Sequence, residues 1–180
     1  MPQLPPRYDL PRAAPGPLRL VQLFLNSTDH EQTRELLGSP RALRGWLTEQ
    51  GLDDPGPLGP AALRRVREVR EALHRFAVTG TVDPALVEAA RRARLSVDLE
   101  AAELAPGAPG IDGALGTVLA VVYDALRDGS WSRLKTCRNC GWAFWDESRN
   151  RSATWCSMQL CGNRLKVRRH RAKITPRSSR

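Results

Sequence analysis

The sequence predicts a mainly α fold, in which a helical N-terminal domain with one short β-hairpin leads into a small C-terminal unit nucleated by cysteines. Three observations carry this. Between residues 18 and 130, apolar side chains recur at helical spacing, in segments opened by pairs such as Ser39-Pro40 and Asp83-Pro84 and closed by glycine. All four cysteines fall between 137 and 161, as C-x2-C, then fifteen residues, then C-x4-C. Charge divides at the same place: residues 131–180 hold thirteen Lys and Arg against two Asp and Glu, a net of +11, whereas residues 1–130 carry −2.

Residues 1–17 hold six prolines and no periodic apolar pattern, which predicts a poorly ordered tail. Leu18 to Asn26 is apolar and too short for periodicity to separate helix from strand. Ser39 is a side-chain cap followed by proline at the first helical position, and Gly51 closes that helix, with Leu43, Trp46 and Leu47 on one face. Residues 53–59 form a Pro/Gly-rich connector. Pro60 to Thr79 is the clearest helix, its apolar stripe running Leu63, Val66, Val69, Leu73 and Phe76 before Gly80. Arg64, Arg67, Glu68, Glu71 and Arg75 occupy the opposite side and read as a solvated face.

Asp83-Pro84 opens another helix that runs to Arg94. Leu95, Val97 and Leu99 then alternate as in a strand, with residues 103–105 as the pairing partner. Asp112 is the expected cap of the last helix, whose stripe Leu115, Val118, Leu119, Val122 and Leu126 ends before Gly129. The longest apolar run, Ala114 to Leu126, is interrupted by Asp124 and is too short to span a membrane. These elements make residues 18–130 a helical domain. Trp131 to Thr136 is a short lead into a finger over residues 131–174, and residues 175–180 are a disordered tail.

Cysteines 137, 140, 156 and 161 supply the four thiolates of one tetrahedral Zn2+ site, complete without a histidine or carboxylate. Two disulfides or a redox C-x-x-C fit the spacing less well, because both clusters have metal-ligand separations and no export signal precedes them. Iron in the same sulfur tetrahedron stays open, since ligand type alone does not separate the two metals. Gly141 directly after Cys140 permits a knuckle turn, and Ser157 can cap a helix that carries Cys161 in its first turn or just beyond. This loop-then-helix delivery looks like a treble-clef finger. Trp142, Phe144, Trp145 and Trp155 read as the miniature core of the finger, with base stacking by Trp145 as the alternative.

Cys161-Gly162-Asn163-Arg164 spells the signature of the CGNR zinc fingers. Arg149-Asn150-Arg151-Ser152, Trp155-Cys156-Ser157-Met158 and Lys166-Val167-Arg168-Arg169-His170-Arg171 resemble that family in order and spacing. The resemblance implies that the preceding domain is the helical ABATE module of stress-induced transcription regulators. Phe24-Leu25-Asn26-Ser27-Thr28 is similar to a phenylalanine-valine-asparagine-threonine element near the start of that module. The resemblance also favours helix over strand for residues 18–26.

The expected function is a DNA-binding transcription regulator, cytoplasmic and nucleoid-associated, with the helical domain for sensing or for homodimerisation through residues 18–130. Asn163 and Arg164 either brace the finger, with Arg164 pairing Asp146 or Glu147, or read base edges. Lys166, Arg168, Arg169, Arg171 and Lys173, with Arg149 and Arg151 from the loop, are placed for phosphates of duplex DNA. A finger that grips structured RNA or the ribosome, and a zinc-folded protein adaptor, are the alternatives. No enzyme is expected: four cysteine ligands leave no open coordination position, no phosphate loop or nucleophile elbow occurs, and the three histidines, His30, His74 and His170, are scattered.

Overall fold

A computed structural model describes residues 12–52 and 55–163. Its elements are α1 (Leu18–Leu25), a two-residue hairpin β1 (Thr28–Asp29) and β2 (Arg34–Glu35), α2 (Pro40–Glu49), α3 (Pro60–Thr79) and α4 (Pro84–Ala93). There follow β3 (Leu95–Asp98) and β4 (Glu103–Pro106), α5 (Gly110–Arg127), a 3-10 turn at Ser130–Arg133, β5 (Leu134–Thr136), β6 (Ala143–Trp145) and a wide helical turn at Met158–Gly162. Among the described residues the sheets are three separate antiparallel hairpins, β1 with β2, β3 with β4 and β5 with β6. The fold is therefore mainly α with short hairpins.

Local chemistry sets the helix ends. Ser39 Oγ accepts the Ala42 amide at 3.2 Å and Asp83 Oδ1 accepts the Ala85 amide at 2.9 Å, in each case just before a proline that starts the helix. Gly80 closes α3 in the left-handed region at φ 71°. The last helix begins earlier than its sequence suggests, at Gly110 after Pro109. Asp112 is consequently not the cap. It sits inside the first turn, where its carboxylate accepts Arg65 Nη1 at 2.6 Å.

The core is built from the inner faces of α1, α2, α3 and α5, with Val21, Leu43, Leu73 and Val118 at 0–1 % exposure. Each such side chain contributes roughly 1.5–3 kcal/mol relative to exposure. Gly116 lets α5 approach its neighbours, because a Cβ there would lie 2.7 Å from Ala93 Cβ and 2.8 Å from Pro106 Cβ. Trp131, expected in a lead segment, is buried and stacks on Phe76 with ring centroids 5.3 Å apart. Leu134 of β5 is buried in the same core, so the first strand of the finger starts inside the helical domain.

Residues 12–17 do not behave as a tail. Ala14 is buried, its amide donates to Gln22 Oε1 at 2.7 Å, and the Arg12 carbonyl accepts the Trp145 amide at 3.0 Å. Residues 1–11 of the expected tail, and the C-terminal tail 175–180, lie outside the described residues. The charged side of α3 is also more than a solvated face. Arg67 donates to the Leu37 carbonyl at 3.0 Å, and Glu71 pairs with Arg70, which is 3 % exposed. Among the described residues no helix is long and apolar enough to cross a membrane.

Candidate metal centre

The knuckle after β5 is shaped by backbone bonds. The Gly141 amide donates to the Cys137 carbonyl at 2.9 Å, and the Cys137 amide donates to the Trp142 carbonyl at 2.8 Å. Gly141 takes φ 75°, a conformation that glycine reaches without strain. The second cysteine pair arrives differently. Ser157 Oγ accepts the Leu160 amide at 3.3 Å, while the Ser157 carbonyl accepts both the Cys161 and the Gly162 amides at 3.0 Å, winding a turn that carries Cys161. Knuckle, hairpin, loop and helical turn follow one another in the order of a treble clef; the chain past Asn163 lies outside the described residues.

The four Sγ atoms all lie within 4.8 Å of one another, and every cysteine is buried. Three of the separations are 3.7 Å (Cys140 to Cys156), 3.6 Å (Cys156 to Cys161) and 3.6 Å (Cys140 to Cys161). Sulfurs about 2.3 Å from one tetrahedral ion stand about 3.8 Å apart, so the donor set fits a single ion. Its protonation chemistry points the same way. Hydrogen bonds from Cys140 and Cys156 hold the Cys137 thiol far below its ordinary range. The shared hydrogen bond and charge of Cys137 push Cys140 up to about 12 and drive Cys156 higher still. Cys137, Cys140 and Cys156 thus oppose one another's ionisation, an opposition that a cation between the sulfurs would relieve. Asn139 Nδ2 also reaches Cys161 Sγ at 3.6 Å, a neutral donor toward the sulfur cluster.

Trp142 and Phe144 are buried against the cysteines, with Trp155 and Ala153 packed on the same cluster. Trp145, the candidate for base stacking, instead packs on the core of the helical domain. Asp146 is fully buried, where Lys135 Nζ lies 2.6 Å from Oδ2 and the Ser148 and Ala153 amides donate at 2.9 and 3.0 Å. Burial would raise its pKa, but the Lys135 ammonium and the hydrogen bonds from Ser148 and Ala153 outweigh it and hold the carboxyl well below the usual range. Asp146 is one of the two carboxylates, with Glu147, that the bracing reading offers to Arg164, which itself lies outside the described residues.

Of the residues expected to meet nucleic acid, Arg149 and Arg151 are exposed on the loop between the cysteine pairs, and Arg151 also donates to Ser132 Oγ at 2.7 Å. Asn163 is exposed at the end of the helical turn. Arg164, Lys166, Arg168, Arg169, Arg171 and Lys173 lie outside the described residues. Arg138, exposed between the first two cysteines, adds a cation that the sequence reading left out. Its position in the C-x2-C was the available signal. The histidines are not all scattered: His30 and His74 meet edge to face at 5.8 Å, and His74 Nε2 donates to the Gly141 carbonyl at 2.8 Å.

These features define a class, a helical module fused to a C-terminal four-cysteine finger. The model of the ABATE family, described as "Putative stress-induced transcription regulator", matches residues 18–136, and that of the CGNR zinc finger matches residues 133–173. The chain belongs to the ABATE family and carries a CGNR zinc finger at its C-terminal end. The two matches overlap on β5, the strand that begins in the helical core and ends at the first cysteine. No curated protein matches the chain.

Proposed function

We propose that the chain is a transcription regulator that binds duplex DNA through its finger, without enzymatic activity, in a nucleoid-associated setting. The supporting observation is the junction of two features: a buried cluster of four sulfurs within 4.8 Å of one another and, from Asn163 onward, the most basic stretch of the chain. Zinc held by Cys137, Cys140, Cys156 and Cys161 would cross-link the knuckle to the helical turn and so fix the direction in which the basic segment leaves the finger. It has no open position for substrate when four thiolates surround it.

In this reading Arg168, Arg169, Arg171 and Lys173 neutralise phosphates with help from Arg149 and Arg151, while Asn163 and Arg164 are the candidates for base edges. One compact finger reads few bases, so dimerisation through residues 18–130 would raise specificity, and sedimentation of the DNA complex reports it. Selection of bound sequences from a random DNA pool, with the metallated full chain, tests the proposal. An enriched motif is expected. Equal recovery of every sequence, with tighter binding to structured RNA at matched salt, would replace duplex DNA by RNA.

A further inference from the structure

The backbone around the first cysteine pair is held from outside the finger. Asn26, buried at the end of α1, uses both ends of its amide on one residue of β6: Nδ2 donates to the Ala143 carbonyl at 2.9 Å, and Oδ1 accepts the Ala143 amide at 2.8 Å. Gln22, one turn earlier, donates to the same carbonyl at 3.1 Å and to the Arg12 carbonyl at 3.0 Å. His74 of α3 donates to the Gly141 carbonyl. The Trp142 carbonyl accepts Cys137. Every carbonyl of the three residues after Cys140 is thereby engaged, two of them by side chains of the helical module.

Arg12 extends this grip to the second cysteine pair. Its carbonyl accepts the Trp145 amide, its guanidinium lies 5.4 Å from the Phe144 ring centroid, and its Nη1 donates at 2.8 Å to the carbonyl of Trp155, the residue before Cys156. One stretch of chain outside the finger thus touches the backbone beside both halves of the ligand set.

We infer that Arg12, Asn26 and His74 are positioning residues for the metal, so that metal affinity is set partly by the helical module and any shift of α1 or α3 is felt at the sulfurs. The inference rests on the metal reading above. The physical ground is preorganisation: partners that hold the ligand-bearing backbone in its bound geometry lower the ordering cost of binding, and outer partners of this kind typically change metal affinity by about 10–100-fold. Linkage makes the effect reciprocal, so metal must tighten α1 by the same free energy by which α1 tightens metal.

The test titrates the full chain with zinc against a chromophoric chelator, comparing wild type, Asn26→Leu, Arg12→Met and a control, Val66→Ala, which opens the core of the module away from the clasp. The expected result is zinc dissociation constants raised about tenfold for the first two variants and within twofold of wild type for the control. Unchanged affinity in Asn26→Leu and Arg12→Met overturns the inference, and so does an equal loss in the control, which would mean general destabilisation. If the variants do not fold, hydrogen exchange of wild type decides: adding zinc should slow exchange of the α1 amides, and identical exchange with and without zinc overturns the inference. Wild-type chain that takes up no stoichiometric metal overturns the metal reading itself, and the positioning role with it.

Discussion

Arg70 and Glu35 meet in a two-pronged ion pair, Nη1 to Oε1 at 2.8 Å and Nη2 to Oε2 at 2.7 Å, with the guanidinium side chain only 3 % exposed. Ser27 Oγ accepts from the same guanidinium at 3.0 Å and Glu71 flanks it at 3.1 Å. The β1–β2 hairpin is thereby fastened to the middle of α3. Parallel, charge-assisted bonds of this kind are the strong ones, and a buried cation deprived of its partner is costly.

Replacing Glu35 with glutamine should lower the unfolding free energy by about 3 kcal/mol, because Arg70 keeps its charge in a buried place. Arg70→Met should cost less than Glu35→Gln, since it removes the buried charge along with the pair. Urea denaturation at neutral pH ranks the two, and the reverse order would mean that the pair is not the main fastening.

Acid should weaken the same contact. Burial raises the Glu35 pKa, but the bond and charge of Arg70, the Leu37 amide and the charge of Arg67 outweigh it and leave the carboxyl below its ordinary value. A depressed carboxyl contributes stability that is fully present above its unfolded pKa of about 4.3 and is lost as pH falls through the lower folded value. Wild type minus Glu35→Gln, measured from pH 7 to pH 3, should therefore shrink toward acid. Taking the difference removes the loss of metal that acid also causes.

Trp131→Ala should cost about 3–5 kcal/mol, as the ring fills the core against Phe76. Trp145→Ala should lower stability without changing the DNA affinity of the folded protein more than about threefold; a stacked base would be worth about 1–3 kcal/mol, a larger change. Thermal melts paired with binding titrations separate the two roles.

Cys161→Ser should abolish stoichiometric metal and DNA binding together while preserving most of the helical circular dichroism, because the core of α1, α2, α3 and α5 contains none of the four ligands. Elemental analysis of reduced wild type decides between zinc and iron.

Arg168→Ala with Arg169→Ala should leave metal content unchanged and weaken binding to any duplex. If about five phosphates are neutralised, log K falls against log salt with a slope of about −4 to −5, and the double variant should reduce that slope by about two. An unaltered slope would remove these arginines from the contact.

What could be read from the sequence was what local chemistry decides. Ser39-Pro40 and Asp83-Pro84 mark helix starts because cap and proline act within a few residues. The cysteine spacing marks the metal centre because ligand count is a property of the residues themselves. Asn26 was marked only by its place in the Phe24 to Thr28 element, and Arg12 and His74 gave no such signal. Their partners lie 117, 143 and 67 residues away, and a side-chain amide that imitates a strand is invisible until the strand stands beside it. Arg70 was closer to legible, since it falls on the apolar stripe of α3 between Val66 and Leu73, where a lone cation needs a buried acid. Asp112 misled because an acidic residue in the first turn resembles a cap when proline and glycine precede it.

A two-stranded hairpin normally offers a ledge of unpaired amides and carbonyls on which a foreign strand can grow, the route by which small sheets seed fibres. Here the outward groups of Ala143 are taken by Asn26 and the outward amide of Trp145 by Arg12. Stripping away the first helix, or the few residues before it, should therefore turn a quiet finger into a sticky one.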